Sequence, residues 1–249
     1  WLFRVRNFKI VIQYEGTKYQ GWQRQESTGN TIQGKFEAIL SKMTGSKVQI
    51  DGSGRTDAGV HAYGQVANFK IDTHMSAQEI LEYINRYLPE DIGVIEIREM
   101  PERFHSRLNA VGKTYRYRIW NSDLPCVFDR RYVYEFPQKL DIEAMRRAAA
   151  YCIGRHDFKA FTSNKKSKKS TVRTIESIEI QQSGPEIVIT YKGDGFLYHM
   201  VRILTGTLIE VGQGTRRAEE MERLIASGTR EMAGALAPAK GLALMEVRY

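Results

Sequence analysis

The chain has 249 residues, enough for one large domain or two modest ones around a substantial core. Hydrophobic residues make up 42% and charged ones 27%, an ordinary globular balance, and no apolar run approaches the ~20 residues that span a bilayer. Thirty-seven basic against 29 acidic side chains leave a net charge of +8, which points towards nucleic acid but is also compatible with a merely soluble surface.

Residues 8–14, FKIVIQY, alternate as a strand does, and Glu15-Gly16 begin a loop, EGTKYQGWQRQ, that runs through Gln25. The loop interleaves Lys18 and Arg24 with Tyr19 and Trp22. Two roles fit it: basic residues gripping phosphate while aromatic faces stack on bases, or two rings closing the edge of the core. Thr31 is placed to cap the next helix, in which Phe36, Ile39, Leu40 and Met43 recur at helical spacing. Lys47–Ile50 reads as a short strand, Tyr63–Ile71 as a longer one, Ala77–Leu88 as a helix and Ile92–Ile97 as a strand. The order strand, helix, strand, strand, helix, strand is that of a ferredoxin-like unit.

A second set of elements begins at Ala110 with the strand AVGKTYRYRIWN. A helix over Ile142–Ile153, strands over Arg173–Gln181 and Glu186–Tyr191, helices over about Leu197–Val211 and Ala218–Ala226, and a closing strand Leu242–Tyr249 follow. The expected fold is α+β. Two ferredoxin-like lobes, residues 1–107 and 108–249, would share a mostly antiparallel central sheet flanked by helices, with an active-site cleft between them. Between these elements, SNKKSKKS at 163–170 carries Lys165, Lys166, Lys168 and Lys169 with no apolar anchor. It reads as a solvated loop in the free protein, of a kind that phosphates can order.

Cys126 and Cys152 are too few for a disulfide framework or a four-cysteine metal site and read as thiols of a reducing cytoplasm. The five histidines are scattered, with no His-Glu-x-x-His pattern, so no metal is expected. A charged-then-apolar leader is missing, which points away from secretion. The opening Trp1-Leu2-Phe3-Arg4 has no initiator Met and reads as a trimmed start.

The densest signal is Gly52–Phe69, GSGRTDAGVHAYGQVANF. Gly52, Gly54 and Gly59 surround Arg55, Thr56 and Asp57, and glycines at that density let a backbone turn sharply and approach a ligand. An acid fixed there suits chemistry, and it equally suits an Asx-turn in which the carboxylate bonds its own backbone. Two further places stand out. In Lys113-Thr114-Tyr115-Arg116-Tyr117, period two puts Tyr115 and Tyr117 on one face, either of a site or of the packed sheet. In the helix after Gly193-Asp194-Gly195-Phe196, Arg202 falls roughly 140° from Leu197 on a helix that is otherwise almost wholly apolar. A buried cation needs an acid. Asp194, Glu210 and Asp57 are the candidates.

The glycine-rich segment resembles the signature of the tRNA pseudouridine synthase A family, whose GRTDAGVH core carries the catalytic aspartate. The likeness runs over essentially the whole chain from Phe8. Similar blocks follow in order: YEGTKYQGWQRQ, FHSR at 104–107, KTYRY at 113–117, HDFKAF at 156–161, GDGFLYHMVRILTG at 193–206 and the closing GLALMEVRY. The resemblance implies that Asp57 is the nucleophile, Tyr115 the active-site tyrosine, Arg202 the aspartate's basic partner, and Arg55 the residue that helps displace the target base. It also implies a homodimer that uses no cofactor and converts uridine to pseudouridine at positions 38 to 40 of the tRNA anticodon stem-loop. Lys18, Tyr19, Trp22, Arg24 and the four lysines of the 163–170 loop are the residues expected to touch RNA. A uracil stacked in RNA cannot be isomerised in place, so its nucleotide must be flipped out first. The competing readings are a non-catalytic RNA-binding module, a synthase acting on another RNA, and a metal-dependent nuclease, against which the missing carboxylate cluster speaks.

Overall fold

β1 (Val5–Tyr14) alternates as its sequence requires, with Phe8, Ile10, Ile12 and Tyr14 turned inward. In the computed structural model the described residues are 5–164 and 168–249. Their ten strands form a mostly antiparallel sheet, and five α-helices complete an α+β fold. The chain divides into two compact units, one running to Val111 and regaining Leu244–Tyr249, the other Gly112–Ala243. No helix among the described residues is long and apolar enough to cross a membrane.

In the first unit, α1 (Ile32–Thr44), β2 (Ile50–Gly52), β3 (His61–Asp72), α2 (Ala77–Tyr87) and β4 (Ile92–Met100) follow β1 in the expected order. Antiparallel pairing gives β4-β1-β3-β2, the ferredoxin-like arrangement. The helix bounds were written in the caps. The Thr31 side chain accepts from Gly34 N at the start of α1, left-handed Gly45 ends it, and Ser76 with Glu79 forms a capping box on α2. β3 departs from simple alternation, since Gly64–Phe69 are all buried. Its polar members are satisfied there: Asn68 donates to Asn7 Oδ1 at 3.1 Å and accepts from Ser106 N at 2.8 Å.

The second unit holds β5 (Gly112–Trp120), β6 (Tyr134–Glu135), α3 (Ile142–Ala150), β7 (Gly154–Asp157), β8 (Val172–Ser183), β9 (Glu186–Gly193), α4 (Met200–Gln213) and α5 (Glu220–Ser227). β5-β9-β8-β7 pair antiparallel, and β6 runs parallel beside β5. β6 and β7 have no sequence periodicity and were not anticipated. α4 begins at Met200 rather than Leu197 because His199 takes a left-handed φ of 65°, which a continuous helix cannot contain. α3 stops at Ala150 rather than Ile153. The amides of Tyr151, Cys152 and Ile153 turn back three residues, and Gly154 at φ 100° starts β7.

β10 (Leu242–Arg248) departs from the expected partition, which gave all of 108–249 to one lobe. Residues 244–249 belong with the first unit: Val111 N donates to Arg248 O at 2.8 Å and the Tyr249 hydroxyl to Ser106 O at 2.6 Å. Gly64 of β3 allows this, since a Cβ there would lie 2.5 Å from Met245 O.

Candidate active site

In the first unit, the two strongest sequence blocks turn out to be one structural object. The 15–25 loop lies against the backbone of residues 52–60, and its glycines are the contact points. A Cβ on Gly16 would sit 1.9 Å from Val60 O, and one on Gly21, whose φ is 83°, would sit 2.6 Å from Thr56 O. A Cβ on Gly52 would strike the Trp22 ring at 2.5 Å. Backbone bonds join the two segments: Trp22 N to Thr56 O at 3.0 Å and Gly59 N to Tyr19 O at 3.3 Å. Gly16 N also donates to His61 Nδ1 at 2.9 Å, so that nitrogen is an acceptor and the ring proton belongs on Nε2.

Within the loop, residues alternate between anchor and display. Thr56 is buried, and its hydroxyl meets the Tyr14 phenol at 2.7 Å. Its neighbours Arg55 and Asp57 are exposed and half-buried. Upstream, Ser53 Oγ donates to Gln65 Oε1 at 2.7 Å while Gln65 Nε2 donates to Gly54 O at 3.0 Å. Downstream, Val60 N donates to Asp57 O at 3.1 Å and closes a turn around left-handed Gly59. Burial pushes the Tyr14 phenol up to about 12, against a downward pull from Thr56 and Gln65, so it is a neutral hydroxyl near pH 7.

This geometry corrects one expectation. Tyr19 and Trp22 offer no stacking face to a base, being only 5% and 2% exposed. The Tyr19 hydroxyl is bonded to Asp91, and the Trp22 ring fills the space that Gly52 leaves open. The core-closing role is the one these rings fulfil. Lys18 and Arg24 do reach the surface, in ion pairs with Asp91 at 3.7 Å and Glu37 at 2.7 Å. The cations are the exposed members of these pairs, and the carboxylates of Asp91 and Glu37 are only 10% and 8% exposed.

The second unit presents Tyr115 and Arg202. Tyr115 lies on the inward face of β5 with Tyr117 and Ile119, opposite Tyr191 of β9, and its ring meets Phe196 edge-on at 5.2 Å. Arg202 is in the first turn of α4, a helix on which only Arg202, Glu210 and Gln213 escape full burial. Its Nε donates to Ala237 O at 2.8 Å, and Ala237 N returns a bond to Arg202 O at 3.1 Å. The segment 233–238 thus lies along the helix. There is room only because Gly206 lacks a side chain: a Cβ would sit 1.7 Å from Ala235 O. Gly234 N donates to Thr207 Oγ1 at 2.9 Å on the next turn. Beneath, the Tyr117 hydroxyl donates to Pro238 O at 2.7 Å, and burial pushes that phenol far up against a smaller opposing pull from Arg202. The acids near Arg202 in sequence have other tasks. Asp194 accepts from Thr174 N at 2.9 Å and Glu210 from Arg216 at 2.9 Å.

Lys168 and Lys169 are exposed, whereas Lys165 and Lys166 lie outside the described residues. The near end of that loop is moored just ahead of α4, where Thr162 Oγ1 donates to Tyr198 O at 3.0 Å and Ser163 Oγ meets His199 Nδ1 at 2.9 Å. Sequence reasoning missed Tyr14, Ser53 and Gln65 as supports, and the 233–238 segment altogether. Its signal was present as GALAPAK, a run of small residues that lets two backbones approach. Among the described residues, no three His, Cys, Asp or Glu side chains are gathered as a metal cage requires.

A family model described as tRNA pseudouridine synthase matches residues 10–109 and 148–249. That defines the class as isomerases acting on tRNA. Relatives agree over 98% of this chain and the whole of their own length. The tRNA pseudouridine synthase A of Bacillus sp. (strain KSM-64) is 50% identical, that of Acetivibrio thermocellus 46%, and the tRNA pseudouridine synthase A 2 of Clostridium perfringens 45%. The chain belongs to the tRNA pseudouridine synthase A family. Among solved structures, a Cbf5–Nop10–Gar1 complex aligns with 96% of this chain and 47% of its own at 12% identity and a TM-score of 0.34, and the assignment stands on the sequence relatives alone.

Proposed function

We propose that this isomerase forms pseudouridine in the tRNA anticodon stem-loop, at positions 38 to 40, with Asp57 as its nucleophile. The observation that carries the reading is the loop around Asp57, whose flanking residues are fixed on several sides while Arg55 and Asp57 stay accessible. Arg55 displaces the target base from its stack, at a cost of a few kcal/mol. Tyr115 stacks on the extruded uracil, and its hydroxyl lies in reach of the proton that must leave C5. Arg202 is the basic partner of Asp57 that the family resemblance implies.

The reaction is an isomerisation and balances without a co-reactant. The N1–C1′ bond breaks with help from Asp57, the base turns, a C5–C1′ bond forms, and the proton lost from C5 is matched by one gained at N1. Lys18, Arg24, Lys165, Lys166, Lys168 and Lys169 hold the phosphates of the stem. The protein works as a homodimer, as the family resemblance implies, in the reducing cytoplasm that its two thiols suit. Asp57→Asn tests the chemistry, because the amide keeps the loop's shape and removes the nucleophile. Pseudouridine mapped by chemical labelling should vanish from positions 38 to 40 of tRNA. A near-normal rate from that variant would end the assignment, and label at other positions would move the substrate.

A further inference from the structure

Behind the display face of the glycine-rich loop lie four buried polar side chains, Tyr14, Ser53, Thr56 and Gln65, that take no part in the chemistry proposed above. Buried polar groups must be mutually satisfied, and a network that achieves this fixes one arrangement where apolar packing would allow several. Here the satisfaction is complete around a single residue. The Thr56 hydroxyl is held by the Tyr14 phenol at 2.7 Å, the Thr56 carbonyl by Trp22 N at 3.0 Å, and Gly21 backs the same peptide with no side chain between them. Gln65 ties Ser53 and the Gly54 carbonyl to β3.

A Phe and Val pair would fill nearly the same volume. What the two hydroxyls add is direction, and the residues whose direction they fix are the immediate neighbours Arg55 and Asp57. We infer that the Tyr14–Thr56 hydroxyl pair is a positioning device for the reaction: it sets where the Asp57 carboxylate and the Arg55 guanidinium stand, and neither hydroxyl touches the uridine. This rests on the reading of Asp57 as the nucleophile. A displacement of ~1 Å at a reacting group costs about 100-fold in rate, so loosening one anchor of several should cost about tenfold.

The test is a double-mutant cycle of Tyr14→Phe and Thr56→Val, with Thr56→Ser as the conservative variant. It is read as the single-turnover rate of pseudouridine formation with full-length enzyme in excess over a tRNA transcript. The dissociation constant for the same transcript and the melting temperature are measured alongside. Each of Y14F and T56V should lower the rate about tenfold while leaving tRNA affinity within twofold. The double variant should be no slower than the slower single, because both remove one shared bond, and T56S should recover most of the rate that T56V loses. Folded Y14F and T56V with near wild-type rates would overturn the inference. So would effects that multiply, or a rate loss matched by an equal loss of affinity. Asp57→Asn, run beside them, separates the two ideas. If it is inactive while the hydroxyl variants are normal, only the positioning role falls; if it is active, the nucleophile falls first.

Discussion

The two units fix their charged groups by opposite means. In the first, Asp57 sits on an irregular loop whose place is set by hydrogen bonds and by glycines that let one backbone lie on another. In the second, Arg202 sits on a helix, and the helix is held by packing on nearly all sides with a small-residue segment along it. A loop carries its charge into a tight turn that no regular element reaches. A helix offers a stiff stem and needs only volume. The acid should therefore be sensitive to lost bonds and the cation to added atoms, a contrast that can be pressed from either side.

Arg202→Met should have the largest effect. The apolar stem is kept but the Nε bond to Ala237 O is lost, so the melting temperature should fall modestly, while the rate of pseudouridine formation should fall about 10²–10³-fold from the lost electrostatic support. Retained activity would give Asp57 another partner. Gly206→Ala should do the converse, because its methyl collides with a backbone carbonyl that the helix cannot yield to. About 3 kcal/mol of stability should go, seen in denaturant unfolding, at the upper end of what overpacking costs. Gly21→Ala strikes the loop, combining a left-handed φ with a close approach to the Thr56 carbonyl. It should cost about 2 kcal/mol and, unlike the helix variant, slow the reaction in the protein that remains folded. Lys168→Ala with Lys169→Ala should be mildest. Affinity for tRNA should weaken several-fold, and the slope of log affinity against log salt should flatten by about 1–2. An unchanged slope would remove both lysines from the phosphate contacts.

How much of this was legible depended on whether the signal was local. α1 and α2 declared themselves through Thr31, Gly45, Ser76 and Glu79, all within a turn of the helix ends they set. The Asp57 loop was legible as glycines around an acid. What it leaned on was not, because Tyr14 and Gln65 look like ordinary strand residues until β1 and β3 bring them beneath it. Trp22 misled for the same reason: an aromatic among basic residues suits RNA, and only the bare Cα of Gly52 shows that the ring is used inside. The late start of α4 lay in one dihedral at His199, which composition does not express. Asp194 and Glu210, the acids near Arg202 in sequence, also serve Thr174 and Arg216, neither of which stood out beforehand.

The strand formed by residues 244–249 bears on how the enzyme is made. The acid-bearing unit runs from the start of the chain to Val111, yet it lacks a component until the 132 residues of 112–243 have been added and the ribosome has passed them. While it emerges, β3 would lack the neighbour that β10 later supplies. Nascent chains would thus pass through a stage in which the Gly52–Gly59 loop is present but the sheet beside it is unfinished until residues 244–249 follow.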